Sequence, residues 1–266
     1  MNDDLSTTSM FVPFHQAMSE FELPSALTLM HDGDDPHPLC KLAAEELQCH
    51  IEQQNEWTHN FGLHDNTDVT STGKMFGVLV VETKSGTWGY LAAFSGKLAG
   101  GYHHKGFVPA IYDGLQEGSF INLGMQELNR MNKAYRELDL TTEEGRAAAD
   151  ELGLRRKEHS AALQQKIFDE YQFVNESGST KSLRDIFNPE GMAEKNPPAG
   201  AGECAGIKLL QYAFQHGLKP RALAEFWWGR SPRTPHWKHG NYYACCKDKC
   251  EPILDFMLNG YLNQTS

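Results

Sequence analysis

The chain has 266 residues, 40% of them hydrophobic, which suffices for one large domain or two small ones. Its net charge of -11 argues against a protein that coats nucleic acid with its whole surface, because phosphate binding depends on Lys and Arg. The N-terminus lacks the features of a signal peptide and the apolar runs are too short to cross a bilayer, so we expect a soluble, cytoplasmic protein.

The first half of the chain predicts one helix followed by a β-hairpin. Asp35 and Pro36 are typical of the N-cap and the first position of a helix. Apolar residues at intervals of four then predict its buried face: Leu39, Ala43, Leu47 and Ile51. Residues 75–81 and 88–94 predict two strands joined by a turn at residues 84–86. The first strand is apolar almost throughout, so we expect it at the centre of a sheet that is covered on both faces.

The second half of the chain predicts a helical hairpin and then a compact C-terminal segment. Residues 125–139 and 142–173 predict the two helices of the hairpin, and Thr141 with Glu144 fits a capping box. Three residues are expected on the buried stripe of the second helix: Leu163, Ile167 and Tyr171. After a loop rich in proline and glycine, a helix, a strand and a helix are predicted over residues 203–216, 222–228 and 250–262.

Together these elements predict an α+β (or α/β) fold in which a central mixed sheet is flanked by helices and carries the helical hairpin as an insertion. We divide the chain into an N-terminal part (residues 1–124), a helical hairpin insertion (125–187) and a cysteine-containing C-terminal part (188–266). We expect the last part to complete the same domain as the first.

Three cysteines near helix starts predict a metal site. Cys204 begins one predicted helix, and Cys246 and Cys250 flank the start of another. Helix N-termini stabilise thiolates, and three thiolates with one further ligand form a zinc shell. Four candidates for the fourth position remain open: water, His239, Cys245 and His236. The alternative is that these cysteines pack in the core as small apolar side chains.

The order of hairpin, ligand-bearing helix, strand and cysteine-bearing helix resembles the zinc-dependent nucleobase and nucleoside deaminases. In that family zinc activates water and a nearby glutamate moves protons. The family motif places His or Cys two residues before this glutamate, and later has Pro-Cys-x-x-Cys. Here Gly206 stands at the position of the glutamate, the cysteine pair is one residue further apart, and Cys245 replaces the proline. Glu203 and Glu225 are the candidate catalytic replacements for the missing carboxylate.

A basic and aromatic segment precedes the last helix. Seven positive and two negative residues lie between Lys219 and Lys249, a local charge of +5. Five aromatic residues are interleaved with them: Trp227, Trp228, Trp237, Tyr242 and Tyr243. Cations for phosphates beside rings for base stacking are typical of a surface that contacts RNA. We expect four residues to bind RNA: Arg230, Arg233, Trp237 and Lys238. The alternative is that at least one tryptophan is core and the charges solvate a loop.

Several longer motifs carry a family resemblance: Pro36-His37-Pro38-Leu39-Cys40, Gly73-Lys74-Met75-Phe76-Gly77, Pro198-Ala199-Gly200-Ala201-Gly202-Glu203-Cys204, Ala224-Glu225-Phe226-Trp227-Trp228-Gly229 and Cys246-Lys247-Asp248-Lys249-Cys250. With them, residues 35–260 resemble the N-terminal extension of some bacterial pseudouridine synthases of the ribosomal large-subunit type. The catalytic Arg-Leu-Asp segment of the synthase domain does not occur in this sequence. The resemblance therefore implies RNA modification, but not that this chain isomerises uridine.

The leading hypothesis from the sequence is an RNA-binding or RNA-targeting module that holds zinc. Its expected partner is ribosomal or transfer RNA, or a pseudouridine synthase domain, and no membrane. Two alternatives remain. One is a divergent zinc-dependent hydrolase that deaminates a nucleobase or nucleoside, and the other is a structural or interaction domain.

Overall fold

The computed structural model describes residues 10–31, 33–63, 72–189, 196–232, 236–247 and 249–259. The chain divides into two compact units. The sheet unit comprises Met1–Ile111, Phe173–Thr180 and Pro198–Ser266, and the hairpin unit comprises Tyr112–Gln172 and Lys181–Pro197. Within the described ranges, none of the helices combines the length and the apolar character needed to cross a membrane.

The regular elements follow one another from residue 12 to residue 257. The strands are β1 (Val12–Pro13), β2 (Thr28–Leu29), β3 (Lys74–Glu82), β4 (Trp88–Phe94), β5 (Gln172–Val174), β6 (Thr180–Ser182), β7 (Lys219–Trp228) and β8 (Tyr242–Tyr243). The helices are α1 (Pro38–Gln53), α2 (Phe120–Arg136), α3 (Glu143–Glu170), α4 (Leu183–Phe187), α5 (Ala205–Gln215) and α6 (Glu251–Met257), with one short 3-10 helix at Met18–Glu20.

The sheet unit is built on a mixed sheet of six strands. Its order is β1-β4-β3-β7-β2, and β8 also pairs with β7. β2 runs parallel to β7, whereas the other neighbouring strands are antiparallel. β3 is therefore a central strand, as its apolar sequence predicted. A mixed sheet flanked by helices, with a helical hairpin in the chain between β4 and β7, confirms the predicted α+β class.

Helix α1 covers one face of the sheet. Its four predicted core residues are all buried: Leu39, Ala43, Leu47 and Ile51. The predicted start was wrong, because the N-cap is His37, whose Nδ1 accepts a hydrogen bond from the N–H of Leu39 at 3.2 Å. Pro38 disfavours helical backbone at the residue before it, so the helix cannot begin earlier. Asp35 instead lies before the helix and pairs with Lys41 at 3.3 Å.

Helix α5 covers the opposite face, against β3, β4 and β7. Gly77 of β3 permits this close packing, since a Cβ at that position would lie only 2.9 Å from the Cβ of Ala205. The first turn of α5 therefore rests directly on the sheet. The helix ends at Gln215, and Gly217 has a φ of +62°, the left-handed conformation that the glycine predicted.

The hairpin unit contains α2 and α3, which pack against each other as predicted. Gly124 of α2 allows the close approach, because a Cβ there would lie 2.6 Å from Leu163 of α3. The Nε2 atom of His159 is 3.1 Å from the carbonyl oxygen of Gly124. On the predicted stripe of α3, Leu163 and Tyr171 are buried and Ile167 is half-buried.

The start of α3 differs from the capping box predicted at Thr141 and Glu144. The N-cap is Thr142, whose Oγ1 accepts a hydrogen bond from the N–H of Gly145 at 3.0 Å. Thr141 is held elsewhere, because its N–H and its hydroxyl both donate to the carboxylate of Asp139. Thr141, which the sequence pattern assigned to the helix cap, therefore belongs to the turn that precedes the helix.

Candidate metal centre and its surroundings

The structure brings together the three cysteines that were predicted as metal ligands. Cys204 is the N-cap of α5 and Cys250 is the N-cap of α6. Cys246 lies one turn before Cys250, and its carbonyl accepts hydrogen bonds from the N–H groups of Cys250 and Glu251. The three sulfur atoms lie within 4.8 Å of one another, so they form a group able to hold a metal ion.

One pair of the three sulfurs has the spacing expected in a zinc site. In a tetrahedral site with zinc–sulfur bonds of about 2.3 Å, neighbouring sulfurs are roughly 3.8 Å apart. The Sγ atoms of Cys246 and Cys250 are 3.7 Å apart, whereas those of Cys204 and Cys250 lie at the bonding distance of a disulfide. A disulfide uses only two of the three sulfurs, and the Cα separation of 6.9 Å lies just beyond the usual range for disulfides. Three thiolates leave one zinc position open.

His239, predicted as the fourth ligand, is not brought to the sulfurs. Its Nδ1 accepts a hydrogen bond from the N–H of Gly229 at 2.9 Å, and its ring packs on Trp228. These contacts hold it at the end of β7. Within the described parts of the chain, the group able to bind a metal contains the three cysteines alone.

Glu225 of β7 places a buried carboxylate beside the start of α5. The side chain is only 6% exposed, and its Oε1 accepts a hydrogen bond from the N–H of Gly206 at 2.9 Å. The thiol of Cys245 also donates a hydrogen bond to this carboxylate. Gly206 is two residues after Cys204, and Cys245 directly precedes Cys246. The carboxylate is therefore held by neighbours of two metal-ligand candidates.

The carboxylate of Glu225 lies beside the place where a side chain at position 206 would begin. A Cβ built on Gly206 would be 3.6 Å from Oε1 of Glu225 and 3.5 Å from Sγ of Cys245. Position 206 is the place at which the deaminase pattern expects its glutamate. The chain thus lacks that glutamate on the helix, and β7 brings a carboxylate into contact with the same residue.

Burial governs the protonation of this pair. It raises the pKa of Glu225, and the hydrogen bonds from Gly206 and Cys245 oppose that rise. Burial also raises the pKa of the Cys245 thiol well above its ordinary value, and the neighbouring carboxylate raises it further. Cys245 is therefore held as a neutral thiol that donates to Glu225.

Glu203, the other candidate carboxylate, faces a different group. Its Oε2 lies 3.8 Å from Nζ of Lys208, a side chain that is only 2% exposed. Lys208 donates hydrogen bonds to the carbonyl oxygens of Phe94 and Gly96, at 3.0 and 3.1 Å. Burial lowers the pKa of Lys208 to about 8, while the nearby Glu203 opposes this shift. Glu203 thus takes part in fixing the chain after β4, whereas Glu225 contacts Gly206 and Cys245, which lie near Cys204 and Cys246 in the sequence.

The basic and aromatic segment folds over the end of β7. Trp237 stacks on Trp227 at 5.9 Å and meets Tyr243 edge-on at 4.6 Å. The hydroxyl of Tyr243 accepts from the N–H of Lys238 and donates to the carbonyl of His236. We name Trp227, Trp237, Tyr243, Arg230 and Lys238 the aromatic–basic surface. Arg230 and Lys238 are exposed and the three rings are half-buried.

The same basic and aromatic segment contains Trp228 and Arg233. Trp228 is only 8% exposed and belongs to the core beneath α1, as expected for at least one of the tryptophans. Arg233, predicted to bind RNA, lies outside the described residues.

No protein-family model, curated protein or solved structure matches this chain. The resemblance to pseudouridine synthase extensions therefore stays a prediction.

A cavity of about 330 Å³ adjoins the buried carboxylate. Its wall includes Glu225, Cys245 and Tyr243, together with Met30 beyond β2 and Lys247 before α6. This volume is at the lower end of the range for small-molecule sites. Tyr243 belongs both to this wall and to the aromatic–basic surface.

Sequence reasoning missed Lys208 and the partnership of Glu225 with Gly206. The signal for Lys208 was present, because it is the one charged residue within the apolar run of α5, Ala205 to Ala213. A charge in such a run is buried and must find polar partners. Glu225 is likewise a charge within the apolar run of β7, but its partnership with Gly206 has no local signal, since their meeting depends on the packing of α5 against β7.

Proposed function

We propose that the chain binds one zinc ion through Cys204, Cys246 and Cys250 and uses it to remove the amino group of a nucleobase by hydrolysis. The observation that carries this proposal is the carboxylate of Glu225. It lies beside residue 206, two positions after the first cysteine, where zinc deaminases need their glutamate. Three sulfurs without a nearby carboxylate would support a purely structural metal site.

The reaction needs a group that moves two protons. Zinc supplies a Lewis acid that lowers the pKa of water. Glu225 takes a proton from the attacking water and gives it to the ring nitrogen, as a new C–O bond forms at the amino-bearing carbon. It then passes the second proton of that water to the amino group, the C–N bond breaks, and ammonia leaves a carbonyl behind. The sum is base-NH2 plus water giving base carbonyl plus ammonia.

The arrangement of elements also supports the proposal. The β3–β4 hairpin, α5 with its leading cysteine, β7, and a cysteine pair leading into α6 follow in the order of the deaminase pattern. The hydrogen bond of Cys245 keeps Glu225 oriented while leaving Cys246 and Cys250 to the metal. Glu225 would then compensate for the glycine that this chain carries at position 206 instead of the glutamate of the motif.

The RNA-targeting module is the second candidate, and the aromatic–basic surface favours it. In that case the zinc is structural and the chain delivers a synthase or another enzyme to RNA. It predicts metal and RNA binding without ammonia release. The two candidates therefore differ in one measurable product.

Metal content tests the first part of the proposal. We expect close to one zinc per chain by elemental analysis, and a loss of zinc in Cys246→Ser. Cys49→Ser is the matched control, because Cys49 is an exposed free cysteine on α1. When the zinc-loaded chain is denatured in the presence of a chelator, all 6 cysteines should react as free thiols. Two missing thiols together with absent zinc would indicate a Cys204–Cys250 disulfide and overturn the proposal.

Ammonia release tests the second part. The zinc-loaded full chain is incubated with cytidine, adenosine and guanosine, and with oligoribonucleotides that contain them. We expect ammonia and the corresponding carbonyl base from at least one probe, and a loss of at least 100-fold in Glu225→Gln, of the order that a positioned acid–base group contributes. The glutamine keeps the acceptor for Gly206, so the fold is retained, and Glu203→Gln is the matched control. Ammonia release by Glu225→Gln at the wild-type rate contradicts the assignment.

A further inference from the structure

We propose that the substrate base is presented within single-stranded RNA, which the aromatic–basic surface holds beside Glu225. This inference deepens the proposed function and rests on it. It names a polymer, instead of a free base or nucleoside, as the substrate of the zinc centre.

The surface and the carboxylate lie on the same face of the sheet. Glu225 faces α5, and Tyr243 is its partner in the antiparallel register of β7 and β8. Residues directly opposite each other in such a pair point to the same side. Trp227 is two residues after Glu225 on β7, so it also points to that side. The intervening Phe226 faces the core beneath α1.

The distances suit neighbouring nucleotides. Two residues along a strand span about 7 Å, which separates the backbone of Trp227 from that of Glu225. Trp237 continues the aromatic row beyond Trp227. A base stacked on these rings therefore has its neighbour within reach of the cavity whose wall contains Tyr243 and Glu225.

The positive side chains of the aromatic–basic surface favour an anionic polymer as its ligand. The chain carries a net charge of -11, yet Arg230 and Lys238 flank the rings, and the cavity wall carries Lys247 together with Glu225 and Glu251. A local positive patch on an acidic protein concentrates phosphate at one place. Rings with adjacent cations are the arrangement by which proteins hold unpaired bases and their backbone.

Single-stranded RNA fits better than a duplex. The rings need exposed base faces, and a paired base is stacked on its neighbours within the helix. A base that is already unpaired also enters an active site without the cost of extrusion, which is a few kcal/mol for a duplex. Unpaired loops and ends are the usual targets in RNA.

The test measures binding and turnover on the same zinc-loaded full chain. A labelled single-stranded oligoribonucleotide of roughly 12 nucleotides, within the site sizes of single-strand binders, is titrated at several salt concentrations. We expect Trp237→Ala to raise Kd roughly 5- to 150-fold, and Trp237→Phe, which keeps a ring, to raise it only a few-fold. Arg230→Gln and Lys238→Gln should each lower the salt slope by about 0.7. Lys84→Gln, at the hairpin turn near the other end of the sheet, is the control.

Turnover separates this inference from the proposed function. We expect the base within the oligonucleotide to be deaminated with at least ten times the kcat/KM of the free nucleoside. Equal kcat/KM for nucleoside and oligonucleotide, unchanged RNA binding in Trp237→Ala, or equal binding of duplex RNA or of DNA of the same sequence would overturn the inference. RNA binding with no ammonia from any probe would instead overturn the proposed hydrolase.

Discussion

Gly77 controls how closely α5 approaches the sheet, and Gly77→Ala is the most direct test of that packing. The added Cβ would lie 2.9 Å from the Cβ of Ala205 and 3.1 Å from Cδ1 of Leu209. The leucine tip can turn away, but the alanine Cβ is fixed to the backbone of the first helical turn. The helix itself must therefore move, and Cys204 moves with it.

The magnitude follows from two opposing terms. Overpacking of a well-packed core costs about 1–3 kcal/mol. Replacing glycine in a strand interior returns roughly 0.5–1 kcal/mol, because the unfolded chain loses conformational freedom. We expect a net loss of about 1–2 kcal/mol in the free energy of unfolding. Because zinc tolerates ligand shifts of only about 0.2 Å, we also expect zinc affinity to fall roughly 10-fold.

Tryptophan fluorescence during denaturant unfolding measures the first effect without interference from the hairpin unit. All 5 tryptophans fall in the sheet unit, at positions 57, 88, 227, 228 and 237. Competition with a chromogenic chelator measures zinc affinity. Gly101→Ala is the matched control, since its Cβ would meet only ordinary contacts of 3.6 Å or more. If Gly77→Ala matches that control in both assays, α5 does not depend on this contact and the reasoning is refuted.

Three further substitutions have outcomes set by named contacts. Glu225→Leu removes the acceptor of the Gly206 N–H and should cost about 1–3 kcal/mol in denaturant unfolding, unlike Glu225→Gln; equal costs would contradict this. Phe226→Ala, fully buried under α1, should cost about 3–5 kcal/mol, and a cost below 1 kcal/mol would show that the site collapses. The pKa of Lys208 is about 8 instead of the ordinary 10.5, so between these pH values the unfolded chain binds more protons and stability rises with pH. Lys208→Met should lose this rise of up to about 3 kcal/mol, and parallel pH profiles of the two proteins would refute it.

Local patterns account for the parts of the fold that the sequence predicted. The apolar run at residues 75–81 and the fourfold spacing from Leu39 to Ile51 carry their own burial signal, so β3 and α1 were found. Helix starts were less secure, because Asp35 and His37 both precede a proline and only Pro38 begins the helix. The sequence cannot rank two such caps when their side-chain partners are unknown.

The candidate site divides in the same way. The cysteines were identifiable because each lies at a predicted helix start, which is a local feature. The pairing of Glu225 with Gly206 is not local, since it joins β7 to α5 across 19 positions. Whether Glu225 faces α5 or α1 depends on the alternation along β7, and whether it meets residue 206 depends on how far α5 slides on the sheet. Neither the facing of Glu225 nor the position of α5 on the sheet can be predicted from the neighbouring residues in the sequence.

Gly206 has a consequence for the order in which the centre matures. Zinc deaminases that carry their glutamate on the ligand-bearing helix join metal and acid–base group in a single short segment. In the deaminase that we propose, the two come from separate elements, so an ion bound early by the cysteines would have no proton carrier until β7 has docked. A nascent or partly unfolded chain would then hold its metal without being active, and the proposed reaction would begin only once the sheet is complete.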